Sequence, residues 1–186
     1  MRYFMEEFGR YVEITGYRGI TFGKAEAFLK ANRKQTQTVS IQFFDAKYIA
    51  TQEHLYFAAQ NALQAFKNKT NISKTSEVET ILYASAQRQI QKAIDRSGIK
   101  PQTTNMAAVL IGDDPEKIEA LKQEVSACVG LEPDDSVLEM SKDKLEKIRE
   151  AFEITDKEIQ TVTKGNVDRA VVDLVIEQVA LLATQL

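Results

Sequence analysis

The residues best suited to chemistry lie between Lys67 and Arg96, most densely in Tyr83-Ala84-Ser85-Ala86-Gln87-Arg88-Gln89-Ile90. Ser85 has the side chain of a helix N-cap, which predicts a helix running to Ser97, closed by Gly98 and facing inward through Ile90, Ala93 and Ile94. Arg88 then falls at the third helical position. A cation is disfavoured there, because free N–H groups and the macrodipole already make that end positive. Arg88, Lys92 and Arg96 repeat every four residues, in a row opposite Ile90 and Ile94. A positive helix start reinforced by arginine suits an anion, phosphate above all. Tyr83 could stack on a base and Gln89 could hydrogen-bond a base edge. Lys74, with Lys67 and Lys69 in the neighbouring Asn-rich loop, would extend the basic surface. The plainer reading is a solvated face on which Arg88 pairs with Asp95 or Glu79.

The rest of the inventory weighs against catalysis. The chain has one histidine, one cysteine and no tryptophan, so a zinc site, a Cys–His pair or a Ser–His–Asp triad would rest on His54 or Cys128 alone. No Gly-rich phosphate loop, metal-ligand spacing or nucleophile elbow is present, and no carboxylate pair is singled out. No catalytic residue, metal or cofactor is expected. His54 sits beside an apolar stripe and reads as a histidine satisfied at the edge of the core, ahead of the alternative that it contacts RNA. Cys128 reads as a buried small hydrophobe.

These side chains need a scaffold, and the sequence provides for one. With 186 residues, 44% of them hydrophobic and 27% charged, a single domain spanning 1–186 with its own core is expected. The net charge of −3 leaves nucleic-acid binding to a local basic patch. The N-terminus lacks a signal peptide's apolar run, and the longest apolar stretch, Val171 to Ala183, is too short and too polar to span a bilayer. A cytoplasmic protein is expected, consistent with the lone cysteine.

Tyr11–Ile14, Val39–Phe43 and Ala107–Ile111 read as strands, the last one central, with a short helix around Ala25, Phe28 and Leu29 and a turn around Gly16 and Gly19. A long helix is predicted over 47–67, carrying Leu55, Ala58, Ala59, Ala62, Leu63 and Phe66 on one face. Residues 77–83 fit strand or helix. Downstream the pattern is helical, with caps at Asp114-Pro115, Ser141, Thr155 (with Glu158) and Asn166 and a stop at Gly130. The expected class is therefore α/β (α+β), a small β-sheet packed against several helices with a helical C-terminal half.

The last helix, from Asn166 almost to Leu186, is apolar around most of its circumference, interrupted only by the row Arg169, Asp173, Glu177. Two readings stand. It is a core helix, or the flank near Ile176, Val179 and Leu182 stays open for a partner protein.

Taken in order, several segments resemble one family. They are Glu13-Ile14-Thr15-Gly16-Tyr17-Arg18-Gly19, Glu53-His54-Leu55, Asn71-Ile72, the run from Glu77 to Ser85 with Arg88-Gln89-Ile90, and Glu177-Gln178-Val179-Ala180-Leu181-Leu182. Together they resemble the small accessory subunit of the KEOPS complex, called TPRKB or PRPK-binding protein in eukaryotes. Gln178 departs from the arginine common there, and Met140 to Gly165 carries little signature. The resemblance implies a non-catalytic α/β subunit that docks directly on the kinase-like ATPase subunit. It also implies that the subunit holds the tRNA 3′ CCA end, and that it reaches the threonylcarbamoyl-transferase subunit only through the complex. The reaction so supported is N6-threonylcarbamoyladenosine modification of tRNA. On that implication Tyr83, Ser85, Arg88, Gln89, Lys92 and Lys74 are the expected RNA contacts, and Ile176, Val179 and Leu182 the partner contacts. The rival is a pure protein–protein adaptor without RNA contact.

Overall fold

A computed structural model describes residues 1–32 and 38–185. Leu186, to which the last helix was expected almost to extend, lies outside the described residues. Four strands, β1 (Arg2–Met5), β2 (Arg10–Arg18), β3 (Val39–Asp45) and β4 (Asn105–Gly112), form one antiparallel sheet in the order β1-β2-β4-β3. Met106 to Ile111 of β4 are all at most 5% exposed, which is why that strand reads as an unbroken apolar run rather than an alternating one.

The register sorts the side chains onto two faces. Val12 opposes Ile111 and Ile14 opposes Val109, and this face packs against α2 (Gln52–Asn68), α3 (Ser76–Ala84) and Val179 of α8 (Val167–Leu181). Ile41 opposes Leu110 and Phe43 opposes Ala108, facing α1 (Phe22–Asn32) and α5 (Pro115–Val129). A third cluster joins α6 (Lys142–Ala151) and α7 (Asp156–Val162) to α8. The expected α+β class with a helical C-terminal half is what the chain adopts.

Most capping expectations hold. Asp114 accepts from Glu116 N–H, Ser141 from Lys144 N–H and Asn166 from Arg169 N–H, while Thr155 and Glu158 complete a capping box. The helix expected over 47–67 starts later, at Gln52, because Thr51 caps it and Ala46–Tyr48 form a separate 3-10 turn. β1 was not foreseen. Its residues are mostly half-exposed or exposed and carry little periodic signal.

Gly16 is a correction. It belongs to β2, not to a turn, and pairs with Ala107. A 3-10 turn (Asp135–Leu138) and the residue before it press on this point. A Cβ at Gly16 would lie 2.4 Å from Val137 Cγ2 and 2.6 Å from the Asp134 carbonyl oxygen. Gly19, at φ 74°, makes the turn that follows.

Gly16→Ala should therefore cost about 1–3 kcal/mol through overpacking against a backbone carbonyl. Thermal unfolding checks it, with a clear fall in Tm expected and an unchanged Tm contradicting the close approach.

Candidate nucleic-acid and partner interfaces

The expected site is built on the end of α3 and the start of α4 (Ile90–Ser97), and its local geometry differs from the sequence reading. Residues 77–83 are helix. Glu79 and Thr80 are buried on a face that apolar periodicity would have left polar, because each has local partners. The Glu79 carboxylate accepts from Ile72 N–H (3.1 Å), Ser73 N–H (2.7 Å) and Ser73 Oγ (2.7 Å), fixing the loop that carries Lys74. The Thr80 hydroxyl donates to the Ser76 carbonyl at 2.7 Å.

Ser85 ends α3 instead of opening the next helix. It is fully buried, and its hydroxyl donates back to the carbonyls of Ile81 (2.7 Å) and Leu82 (3.1 Å). Ala86 N–H bonds Tyr83 O and Gln87 N–H bonds Leu82 O, with Ala86 left-handed at φ 49°. This is the Schellman pattern, here with alanine where glycine is usual. α4 then starts at Ile90 with Gln89 at its N-cap position and no side-chain cap. Arg88 precedes the helix, so it is not the third-position cation expected, and Lys92 holds that position instead.

Two further groups complete the end of α3. His54, fully buried, accepts Ala50 N–H at Nδ1 (3.1 Å), so Nε2 carries the proton and donates to the Ala84 carbonyl at 2.8 Å. Arg96 Nη1 donates to the Ser85 carbonyl at 2.9 Å, and its guanidinium lies 5.4 Å from the Phe152 ring centroid. Burial pushes the His54 pKa down to about 4. The expectation of a satisfied histidine holds.

The predicted contacts separate into exposed and buried. Arg88, Gln89 and Lys92 are exposed on the turn and the first helical residues. Tyr83 is 5% exposed and packs in the first core cluster, so it offers no face to a base. Burial also raises its phenol pKa. Ser85 spends its hydroxyl within the chain. Lys74 is exposed but lines a different cleft, with Arg10 and Lys67, so the structure does not bring it to Lys92. Lys67 itself pairs with Glu7 at 2.9 Å.

Neither expected ion pair of Arg88 forms. Its guanidinium instead donates to the Gln185 carbonyl. Lys92 and Arg96 line one groove together with Tyr48, which sequence reasoning did not single out. On the other side of α4, Ile90 (44% exposed) and Ile94 (37%) do not enter the core as expected. The small residues Ala93 and Ser97 turn inward in their place. Cys128 is partly buried rather than fully so, packed beside α1, with its Sγ 3.7 Å from the Lys24 carbonyl oxygen.

The flank of α8 expected to be open is largely closed. Val179 and Leu182 are 0% and 1% exposed, because the helix is wedged against α2 on one side and α6–α7 on the other. Ile176 is half-buried, and the large apolar side chain exposed at that end is Leu181, at 47%. Arg169, at the other end of the helix, pairs with Glu53 at 2.6 Å and Asp173 at 2.7 Å.

Among the described residues, no group of three or more His, Cys, Asp or Glu could hold a metal, and no helix is long and apolar enough to cross a membrane. The family described as "Kinase binding protein CGI-121" matches residues 22–183. "Regulatory protein Cgi121" of Methanocaldococcus jannaschii is 34% identical over 144 residues, covering 77% of this chain and 83% of that relative.

The buried imidazole makes a pH prediction. Its folded pKa of about 4 lies below the ordinary 6.5, so between those values the unfolded chain binds a proton that the folded chain refuses. This contribution is present above about pH 6.5 and is lost as pH falls toward 4, amounting to about 3 kcal/mol. Denaturant unfolding at pH 7.5 and pH 4.5 should show wild-type stability falling, with a clearly smaller fall in His54→Gln. Equal falls in the two proteins would contradict the buried neutral imidazole.

Proposed function

The chain belongs to the CGI-121 family of kinase binding proteins, and from that premise we propose that it is a non-catalytic, cytoplasmic regulatory subunit of the KEOPS complex. In this reading it binds the kinase-like ATPase subunit directly and holds the tRNA 3′ CCA end, supporting N6-threonylcarbamoyladenosine modification. The threonylcarbamoyl-transferase subunit is reached only through the complex.

The observation that carries the RNA half is the exposed triplet Arg88, Gln89 and Lys92, presented on a turn whose backbone is fixed from beneath by His54, Ser85 and Arg96. Neither Arg88 nor Lys92 pairs with a carboxylate among the described residues. Their charge is therefore available to phosphate, and Gln89 is placed to meet a base edge. Lys74 belongs to a separate basic cleft and would touch only RNA that extends beyond the 3′ end. The kinase half rests on the outer surface of α8, where Ile176, Ala180 and Leu181 remain accessible beside the buried Val179.

A second reading, the adaptor without RNA contact, draws on Arg88 being held by the Gln185 carbonyl and on Tyr83 being buried. Salt separates the two. Phosphate contacts make log affinity fall with log salt by about 0.7 per single-strand phosphate neutralised.

Purified protein is expected to bind whole tRNA in a salt-sensitive way and to lose that binding when the CCA end is removed. Arg88→Glu should weaken it about tenfold or more. Equal or absent binding to both tRNAs would instead favour the adaptor. Leu181→Arg should weaken capture of the kinase-like subunit without lowering Tm, whereas Val179→Arg should unfold the protein by burying an unpaired charge. A folded Leu181→Arg variant with full kinase affinity would contradict docking on that surface.

A further inference from the structure

Beside the α3–α4 turn a groove of about 530 Å³ opens between the 3-10 turn Ala46–Tyr48, α4 and the end of α6. Four cations line it, Lys47, Lys92, Arg96 and Lys147, against two carboxylates, Asp95 and Glu150. Against the chain's net charge of −3, that is a local excess of positive charge. Arg96 is committed to the Ser85 carbonyl and contributes field rather than a free hand. Lys147 Nζ lies 3.4 Å from Glu150 and Lys47 Nζ 3.9 Å from Asp45, while Lys92 has no carboxylate partner among the described residues.

The aromatic member is Tyr48. Its ring is half-buried on a short turn fixed by Asp45, which accepts Lys47 N–H at 3.1 Å, and by the fully buried Ile49. Two ammonium groups lie over it, Lys47 Nζ at 4.8 Å and Lys100 Nζ at 5.3 Å from the ring centroid. An anchored aromatic face among cations is a platform for a planar base that carries phosphate. Phosphate draws the ammoniums off the ring, and the base takes their place on it.

We propose that this groove binds a single nucleotide unit, its base stacked on Tyr48 and its phosphate held by Lys92, Lys47 and Lys147. A free nucleotide and the last residue of an RNA 3′ end share that chemistry. The site shares Lys92 with the RNA-contacting turn but does not depend on Arg88, so the two assignments can fail separately.

The test is titration of the purified full chain at low salt with AMP, ATP, a CCA trinucleotide, inorganic phosphate and pentaglutamate, read by calorimetry and by amide NMR shifts at Tyr48, Lys92 and Ala151. AMP or the trinucleotide should bind and move those amides. Tyr48→Leu should weaken binding about tenfold, and Tyr48→Phe should restore it, because stacking needs the ring and not the hydroxyl. Binding of AMP and ATP identifies a free-nucleotide site, and binding of the trinucleotide alone identifies an RNA end; either supports the groove. No binding by any of the three nucleotides at millimolar concentration would overturn it. So would Tyr48→Leu binding like wild type, or phosphate or pentaglutamate binding as tightly as AMP. Arg88→Glu separates the readings. It should leave binding of the groove's nucleotide intact, whereas a folded Arg88→Glu protein that loses that nucleotide together with CCA-dependent tRNA binding would overturn the groove and leave the turn as the site.

Discussion

The proposed RNA-contacting surface depends on how α3 ends. A helix terminus leaves carbonyls without intrahelical partners, and here that terminus is buried, so each orphan must find a donor or cost about 1–3 kcal/mol. His54 takes the Ala84 carbonyl, Arg96 takes the Ser85 carbonyl, and the backbone of Ala86 and Gln87 takes those of Tyr83 and Leu82. The chain then has one way to leave, through a left-handed Ala86, and it emerges as the exposed stretch from Arg88 to Lys92. The one histidine of the chain is thereby a structural donor held neutral, and Arg96 is a structural cation whose pKa is lowered by partial burial.

The sheet supplies the rigidity behind this. β4 is buried on both faces, and β2, beside it, is pinned by the contact of Gly16 with the segment before α6. Phe152, at the end of α6, lies against both the His54 ring (5.7 Å between centroids) and the Arg96 guanidinium. The helical C-terminal half is thus coupled to the α3–α4 turn through one aromatic ring. α8 completes that half as a core helix and leaves Leu181 exposed at its end, on the surface proposed for the partner.

The scaffold was legible because its signals are local. Asp114-Pro115, Ser141, Thr155 with Glu158 and Asn166 cap the helices that they announced, and the three foreseen strands form at their stated positions. The site was less legible for physical reasons. A serine hydroxyl can serve downstream N–H groups or upstream carbonyls, and at Ser85 the second use wins, with no glycine to mark the stop. α4 packs through Ala93 and Ser97, so its two isoleucines point outward against the usual apolar rule. Tyr48 was invisible because Lys47, Lys92, Lys100 and Lys147 meet around it only in three dimensions. Which flank of α8 closes was equally a matter of tertiary packing.

Amide NMR mapping of the chain with an acceptor-stem minihelix ending in CCA tests the central claim most directly. The account predicts that shifts concentrate between Arg88 and Lys92 and fade as salt is raised. Shifts confined to the Lys67–Lys74 cleft, or none at all at low salt, would contradict it.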